Sequence, residues 1–322
     1  MSPITVTPGH LARHTPLGAG AQGRDAAIVD IAQDLLLRHL HGLGVLDGLA
    51  FKGGTALRKL YAGTAGRFSL DLDFSSARIG ADPDDLVTDL IAAVDGLEVG
   101  PFGYGAVERR GKWSLTYAHQ FGGPPVALQS KLDLNPPPWL APVTRAWVPL
   151  PVHSQYGAPP LPEIQVVPLM ENLAEKIARL NRTTPARDMY DLRWVAANPS
   201  IARLDQALVR RLAVLKVWVD ANGLQAGNTF WKPGHEGPPF DPGRWLRDRS
   251  SGEFDVEDIG ALIAPALTPA ELSDAVRSRY GFLADLDDDE AIIARAREQD
   301  RALALRMLAG LPGRRLDGIG LY

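Results

Sequence analysis

Phe51-Lys52-Gly53-Gly54-Thr55-Ala56-Leu57, followed by Arg67-Phe68-Ser69-Leu70-Asp71-Leu72-Asp73-Phe74, constrains this chain more than any other stretch. Two glycines close a loop, a helix-like segment follows, and two aspartates then sit one residue apart in an apolar run. Residues i and i+2 of a strand share a face. Asp71 and Asp73 are therefore expected to project side by side, with Leu70, Leu72 and Phe74 turned into a core. Adjacent carboxylates repel unless a cation lies between them. Mg2+ prefers oxygen ligands and leaves room for substrate phosphates, and paired glycines let backbone N–H groups approach phosphate closely. The pattern points to metal-assisted chemistry on a nucleoside triphosphate. The competing reading is an exposed acidic pair with no ligand.

A third carboxylate, Asp133, lies near the end of an alternating segment at 126–134, with Leu132 and Leu134 on its other face. Two adjacent carboxylates and one from a neighbouring strand are a donor set for two Mg2+ ions about 3.5–4 Å apart.

The remaining periodicities place these strands among helices. Apolar residues at helical spacing predict helices over 24–43, 55–61, 83–97, 169–180, 187–197, 204–219, 268–280 and 291–308. A short strand over 49–52 leads into the glycine turn, 68–74 is the aspartate strand, and alternation predicts strands over 107–118 and 126–134. Residues 63–66 read as a loop. Pro136-Pro137-Pro138 ends sheet pairing and opens a proline-rich segment to Pro168. The expected organisation is a loose arm over 1–24, a first domain over 25–150 with a mixed sheet flanked by helices, and a mainly helical domain over 151–322. Residues 223–248 read as loop. Asp285 to Glu290 reads as the cap of the last helix, and Trp231 and Trp245 as core or loop anchors.

Bulk composition narrows the classes. Of 322 residues, 45% are hydrophobic and 22% charged, the balance of a globular chain. With no cysteine there are no disulfides or thiolate metal sites, in keeping with a reducing cytoplasm. No apolar run reaches the roughly 18 residues of a membrane span, and no signal pattern opens the chain. Net charge is −4, so contact with nucleic acid must come from local patches. Arg109-Arg110-Gly111-Lys112-Trp113 joins charge to an aromatic. For an RNA contact, Arg67, Arg110, Lys112, Arg179, Arg182 and Arg187, which flank the motifs, are the expected residues, and Arg210, Arg211 and Lys216 lie further on. Most such clusters are solvated faces.

The second half carries Glu171-Asn172-Leu173-Ala174-Glu175-Lys176-Ile177 and then Arg187-Asp188-Met189-Tyr190-Asp191-Leu192. Lys176 shares a helix face with Asn172 and suits a phosphate as a point charge. It also reads as an ordinary surface lysine. Asp188 also reads as a first-turn carboxylate stabilised by the helix dipole, and Arg187 with Asp191 as an i, i+4 ion pair.

FKGGTALRKLY, RFSLDLDF and these later strings together resemble the AbiEii/AbiGii-like nucleotidyltransferase toxins of abortive-infection systems, which include the mycobacterial MenT-type enzymes and belong to the DNA polymerase β-type superfamily. The likeness runs over about residues 25–197 and includes an ExLxxKxxA…RDxYDL-like pattern. It implies an α+β fold with a bilobed layout: a nucleotidyltransferase core and a mainly helical C-terminal lobe carrying the lysine motif. It implies that Lys52, Gly53, Gly54, Thr55 and Ser69 surround a bound NTP, that Asp71 and Asp73 hold Mg2+ or Mn2+, and that Lys176 contacts the triphosphate. Asp188 or Asp191 takes the later acidic position, with both left open. The segment between Thr55 and Asp71 is longer than in the minimal superfamily pattern. The implied acceptor is the 3′ end of tRNA, whose extension blocks aminoacylation and translation, and the implied partner is a cognate antitoxin. Two alternatives stay open: transfer to a protein hydroxyl, as nucleotidylation or phosphorylation, and a non-catalytic binding module.

Overall fold

The computed structural model describes residues 3–17, 19–78, 82–122, 128–159, 161–181, 184–199, 203–222, 240–247, 254–255 and 267–315. Two compact units emerge: Met1–Pro137 with Pro142–Val166 and Gly260–Ala266, and Pro138–Ala141 with Val167–Ile259 and Leu267–Tyr322.

The first unit is a mixed sheet packed against helices. In chain order its elements are α1 (Pro8–His14), α2 (Gly20–Gly42), β1 (Leu49–Lys52), α3 (Gly53–Leu57), β2 (Leu72–Ser76), α4 (Pro83–Val94), β3 (Glu98–Val99), β4 (Phe102–Arg109), β5 (Lys112–His119), β6 (Leu128–Asn135), β7 (Val143–Arg145) and β8 (Ile164–Val166). Strand order is β3-β4-β5-β6-β2-β1-β8-β7. β2 runs parallel to β6 and antiparallel to β1, and β8 runs parallel to β1. One residue of each adjacent pair faces a core: Phe51, Phe74, Leu115, Tyr117, Leu128 and Leu132 are all buried.

α1 lies inside the stretch expected to be a loose arm. Thr7 caps it and Leu11 is buried. The segment expected to be one strand over 107–118 is instead the β4–β5 hairpin. Arg110 and Gly111 form its tip at φ 54° and 73°, the paired left-handed geometry of a two-residue turn that matches strand twist. The aspartate strand begins at Leu72 rather than Phe68. Leu70 is 41% exposed instead of entering the core, because residues 67–71 are held by side chains and not by a strand ladder.

α2 is buried on nearly every side from Ala26 to Leu37, and it carries Asp30, Gln33 and Asp34 inside with its apolar residues. The segment after the glycines compensates the two aspartates. Arg58–Ala62 forms a π-type turn with Arg58 and Lys59 buried. Arg58 donates to both Asp30 oxygens at 3.0 Å. Lys59 Nζ donates to Asp30 Oδ1 at 3.0 Å and to Asp34 Oδ1 at 2.6 Å. Trp147 and Tyr156 donate to Asp34 at 3.1 and 2.9 Å. Burial alone would raise both carboxyl pKa values. Arg58 and Lys59 outweigh it at Asp30, which falls well below the usual range, and Lys59 with His153 brings Asp34 to about 2.

The second unit is mainly helical: α5 (Leu169–Leu180), α6 (Ala186–Ala197) and α7 (Gln206–Ala221), then Pro242–Trp245, Pro269–Arg279, Asp288–Ile293 and Arg301–Ala309, with a two-stranded parallel pair of Thr184–Pro185 and Phe254–Asp255. Glu171 is wholly buried. It accepts the backbone N–H groups of Trp139 and Leu140 at 2.9 Å each and Lys216 Nζ at 2.7 Å. Lys216 also lies 4.0 Å over the Trp139 ring. Trp245 is a core anchor that donates to the Ile177 carbonyl at 3.0 Å; Trp231 lies outside the described residues. Asp287 and Glu290 form a capping box. The single helix expected over 291–308 is broken at Ala296, which takes φ 48° so that its carbonyl and that of Arg297 can accept from Asn222 and Trp218.

Lys59→Met would leave two buried carboxylates with one fewer cation, and should cost about 3–5 kcal/mol of stability by urea unfolding. Both aspartates have folded pKa values below the unfolded one. Their contribution is therefore present above about pH 4 and lost as pH falls toward 2. A wild-type urea midpoint unchanged between pH 5 and 2.5, or a Lys59→Met loss under about 1 kcal/mol, contradicts this reading.

Candidate active site

Register builds the first part of the site. Lys52 of β1 pairs with Asp73 of β2, and Asp73 pairs with Asp133 of β6. Paired residues on neighbouring strands project from the same face, about 4.8 Å apart. Lys52, Asp73 and Asp133 thus form one row across three strands, opposite the core-facing row Phe51, Phe74 and Leu134. Lys52 is buried, Asp73 half-buried and Asp133 exposed.

The glycine turn touches this row. Gly53 takes φ 79°, and a Cβ built there would lie 2.0 Å from Asp73 Oδ2. Only glycine permits that approach. A Cβ at Gly54 would lie 2.3 Å from Arg67 Nη2 and 3.0 Å from Ser69 Oγ. Arg67 and Ser69 are both buried against the turn, and Arg67 Nη1 also donates to the Phe68 carbonyl at 3.1 Å. Arg67 was expected to contact RNA; its guanidinium instead packs beneath Gly54.

Asp71 stands one residue ahead of β2 and is half-buried. Two side chains fix its backbone. Thr55 Oγ1 donates to the Asp71 carbonyl, and Gln33 Nε2 donates to the Leu70 carbonyl at 2.9 Å and to Ser130 Oγ at 3.0 Å. Gln33 was missed in the sequence. Its signal is a long polar side chain between Ile31 and Leu35 on a helix that is otherwise buried.

The second unit carries a separate ionic cluster. Lys176 on α5 is 4% exposed, so the surface-lysine reading fails. Its ammonium lies 2.9 Å from Asp188 Oδ1 and 3.0 Å from Asp191 Oδ2, both buried in α6. Arg179 Nη1 lies 3.3 Å from Asp188 Oδ2, and its side chain is 42% exposed. Burial pushes the Asp188 carboxyl up, but Lys176 and Arg179 outweigh it and hold the pKa below its ordinary value. Arg187 is half-buried, and Arg182 lies outside the described residues. Arg110 and Lys112 are exposed at the β4–β5 hairpin.

Asp71, Asp73 and Asp133 offer only oxygen donors, the chemistry a hard divalent cation takes. Among the described residues, no three His, Asp or Glu side chains draw together closely enough to hold a metal by themselves. Mg2+ rarely requires that, because waters and substrate phosphates complete its shell. The donors fit such an ion in that shared mode.

Comparison with known proteins shows the family and the fold. A family model described as nucleotidyl transferase AbiEii toxin, type IV toxin–antitoxin system, matches residues 35–312. Among solved structures, the chain is similar to MenT4, a nucleotidyltransferase toxin from Mycobacterium tuberculosis H37Rv. The likeness has 36% identity and a TM-score of 0.79, over 95% of this chain and 99% of that one. A much looser likeness links it to JHP933 from Helicobacter pylori, at 13% identity and a TM-score of 0.41, over 81% of this chain and 92% of that one. No protein of curated function matches it. With the family model spanning most of the chain and a MenT-type fold around the paired carboxylates, this protein belongs to the AbiEii nucleotidyltransferase toxin family.

Proposed function

We propose that this toxin transfers nucleotides from an NTP to the 3′ end of tRNA in the cytoplasm, so that the extended tRNA cannot be aminoacylated and translation stops. The observation that carries the site is the pairing of Asp73 with Asp133 on one sheet face, with the backbone of Gly53 against Asp73. The tRNA acceptor rests on the family resemblance, as does an antitoxin partner.

In this reading Asp71, Asp73 and Asp133 hold Mg2+ or Mn2+. A bound divalent cation neutralises triphosphate charge and lowers the pKa of the attacking hydroxyl. The N–H groups of the Gly53-Gly54-Thr55 turn meet the phosphates, as paired glycines at a helix start allow. Lys52, beside Asp73, offsets the negative charge of the row. Thr55 and Gln33 fix the backbone that carries Asp71. The terminal hydroxyl oxygen of the acceptor attacks the α-phosphorus. The bond from that phosphorus to the oxygen bridging to the β-phosphorus breaks, pyrophosphate leaves, and the hydroxyl proton passes to solvent. Lys176 is assigned to the triphosphate by resemblance. Its two carboxylate partners mean that it meets phosphate only in company with Asp188 and Asp191, which act as positioning residues.

The test is incubation of the purified protein with total tRNA and each α-labelled NTP. Label should enter tRNA with at least one nucleotide, and Asp73→Asn should abolish this with its thermal midpoint retained. Transfer of γ-label instead, or label in protein alone, would replace the proposal with one of the other acceptor chemistries. Gly53→Ala displaces the Asp73 carboxylate, and a misplacement near 1 Å costs about 100-fold in rate. We expect kcat to fall by about that factor while the protein stays folded. A Gly53→Ala enzyme with wild-type kcat would detach the glycine turn from the reaction.

A further inference from the structure

The Lys52–Asp73–Asp133 row does not end at β6. Trp113 of β5 pairs with Leu132 of β6, so Lys112 and Asp133 are the next residues out on those strands. Arg109 of β4 pairs with Lys112. Arg109 and Lys112 thus continue the row, and Arg109 stands roughly 10 Å from Asp133, at two strand spacings. Lys131 projects from the same face of β6, two residues before Asp133. All three cations are exposed. None of Arg109, Arg110, Lys112, Lys131 or Asp133 makes a side-chain hydrogen bond or ion pair with another described residue. The face beside them carries short side chains, Ser114, Thr116 and Ala118, between Gly103 and Gly105, with Val107 and Gln129 on the same face; Asp95 Oδ1 lies 3.7 Å from where a Cβ of Gly105 would stand.

Here Arg109, Lys112 and Lys131 stand together beside the Asp73–Asp133 pair, with Lys112 in register with Asp133. An anionic acceptor approaching Asp73 and Asp133 meets repulsion unless cations flank them. A neutral hydroxyl-bearing substrate needs no such flank.

We propose that the open face of the β4–β5–β6 sheet, through Arg109, Lys112 and Lys131, binds the phosphodiester backbone of a single-stranded RNA end and delivers its terminal hydroxyl to the Asp73–Asp133 edge. The proposal deepens the nucleotidyl-transfer reading and rests on it. The cations act as point charges on the backbone, so recognition is sequence-tolerant and salt-dependent.

The test is fluorescence anisotropy of a short labelled single-stranded RNA with a free 3′ hydroxyl, titrated with the full chain between about 50 and 200 mM salt, without NTP. Each phosphate contact on a single strand contributes about 0.7 to the slope of log K against log salt. An Arg109→Ser/Lys112→Ser/Lys131→Ser variant should lower that slope by about 2, and Lys112→Ser alone by about 0.7, which covers a triple variant that fails to fold. Arg301→Ser/Arg306→Ser, on an exposed helix face of the second unit, should leave it unchanged. In the transfer assay the Lys112→Ser change should raise KM for RNA and spare KM for NTP. An unaltered slope in the single and triple variants overturns the proposal. So does equal binding of polyglutamate, which would make the face an acidic-protein surface. The predicted slope losses in the variants, with no transfer to RNA by the wild-type protein, support the surface and count against the reaction. Transfer to RNA with unaltered slopes overturns the surface alone.

Discussion

Two carboxylates directly opposite each other on neighbouring strands repel, and the first unit is organised around that repulsion. Like charges in such a pair destabilise a sheet by up to about 1 kcal/mol, with solvent screening keeping an exposed pair near the lower end. The sheet could avoid the penalty by a one-residue slip of β2 against β6, but that slip would turn Leu72 and Phe74 of β2 out of the core. The apolar face therefore locks the register, and the register holds Asp73 beside Asp133. The hydrophobic effect keeps in place an arrangement that electrostatics alone would disperse.

The surroundings follow from this. Asp71 lies outside the ladder, so its backbone needs other partners, and Thr55 and Gln33 supply them. Those two residues come from α3 and α2, whose relative placement depends on the buried cluster of Asp30, Asp34, Arg58 and Lys59. Net favourable energy from such buried ion pairs is small; their use here is to fix one arrangement. Gly53 connects the two layers, since it opens α3 and touches Asp73. The second unit repeats the logic. Glu171 satisfies two consecutive backbone N–H groups and Lys216 at once, and Lys176 is enclosed by two carboxylates. Its helix motif thus reads as one ionic core, of which Glu171 is the structural half.

Much of this was legible in the sequence. Apolar periodicity gave the helix over 169–180 to the residue, and the short apolar run before the glycine turn gave the strand over 49–52. The spacing of Asp71, Asp73 and Asp133 singled out the carboxylates before their strands were known to pair. What was not legible depended on tertiary partners. The true start of β2 was hidden because Phe68 and Leu70 alternate like a strand while their backbone is bound by side chains. The β4–β5 hairpin was hidden because Arg110, a poor left-handed former, takes the position that asparagine more often fills. The buried ion cluster left a trace that was passed over: Asp30 and Asp34 lie one helical turn apart among Ile31, Leu35 and Leu36. The partners of Lys176 depend on the packing of α5 against α6, which spacing alone does not supply.

The central claim is that Asp73 and Asp133 act as a pair on a divalent cation shared with the nucleotide. Mn2+ binding followed by electron paramagnetic resonance, with a non-hydrolysable NTP analogue present and absent, tests it most directly. The account predicts Mn2+ binding that strengthens when the analogue is present, is lost in Asp73→Asn and is weakened in Asp133→Asn. Wild-type Mn2+ affinity in both variants, with the analogue bound, would contradict it.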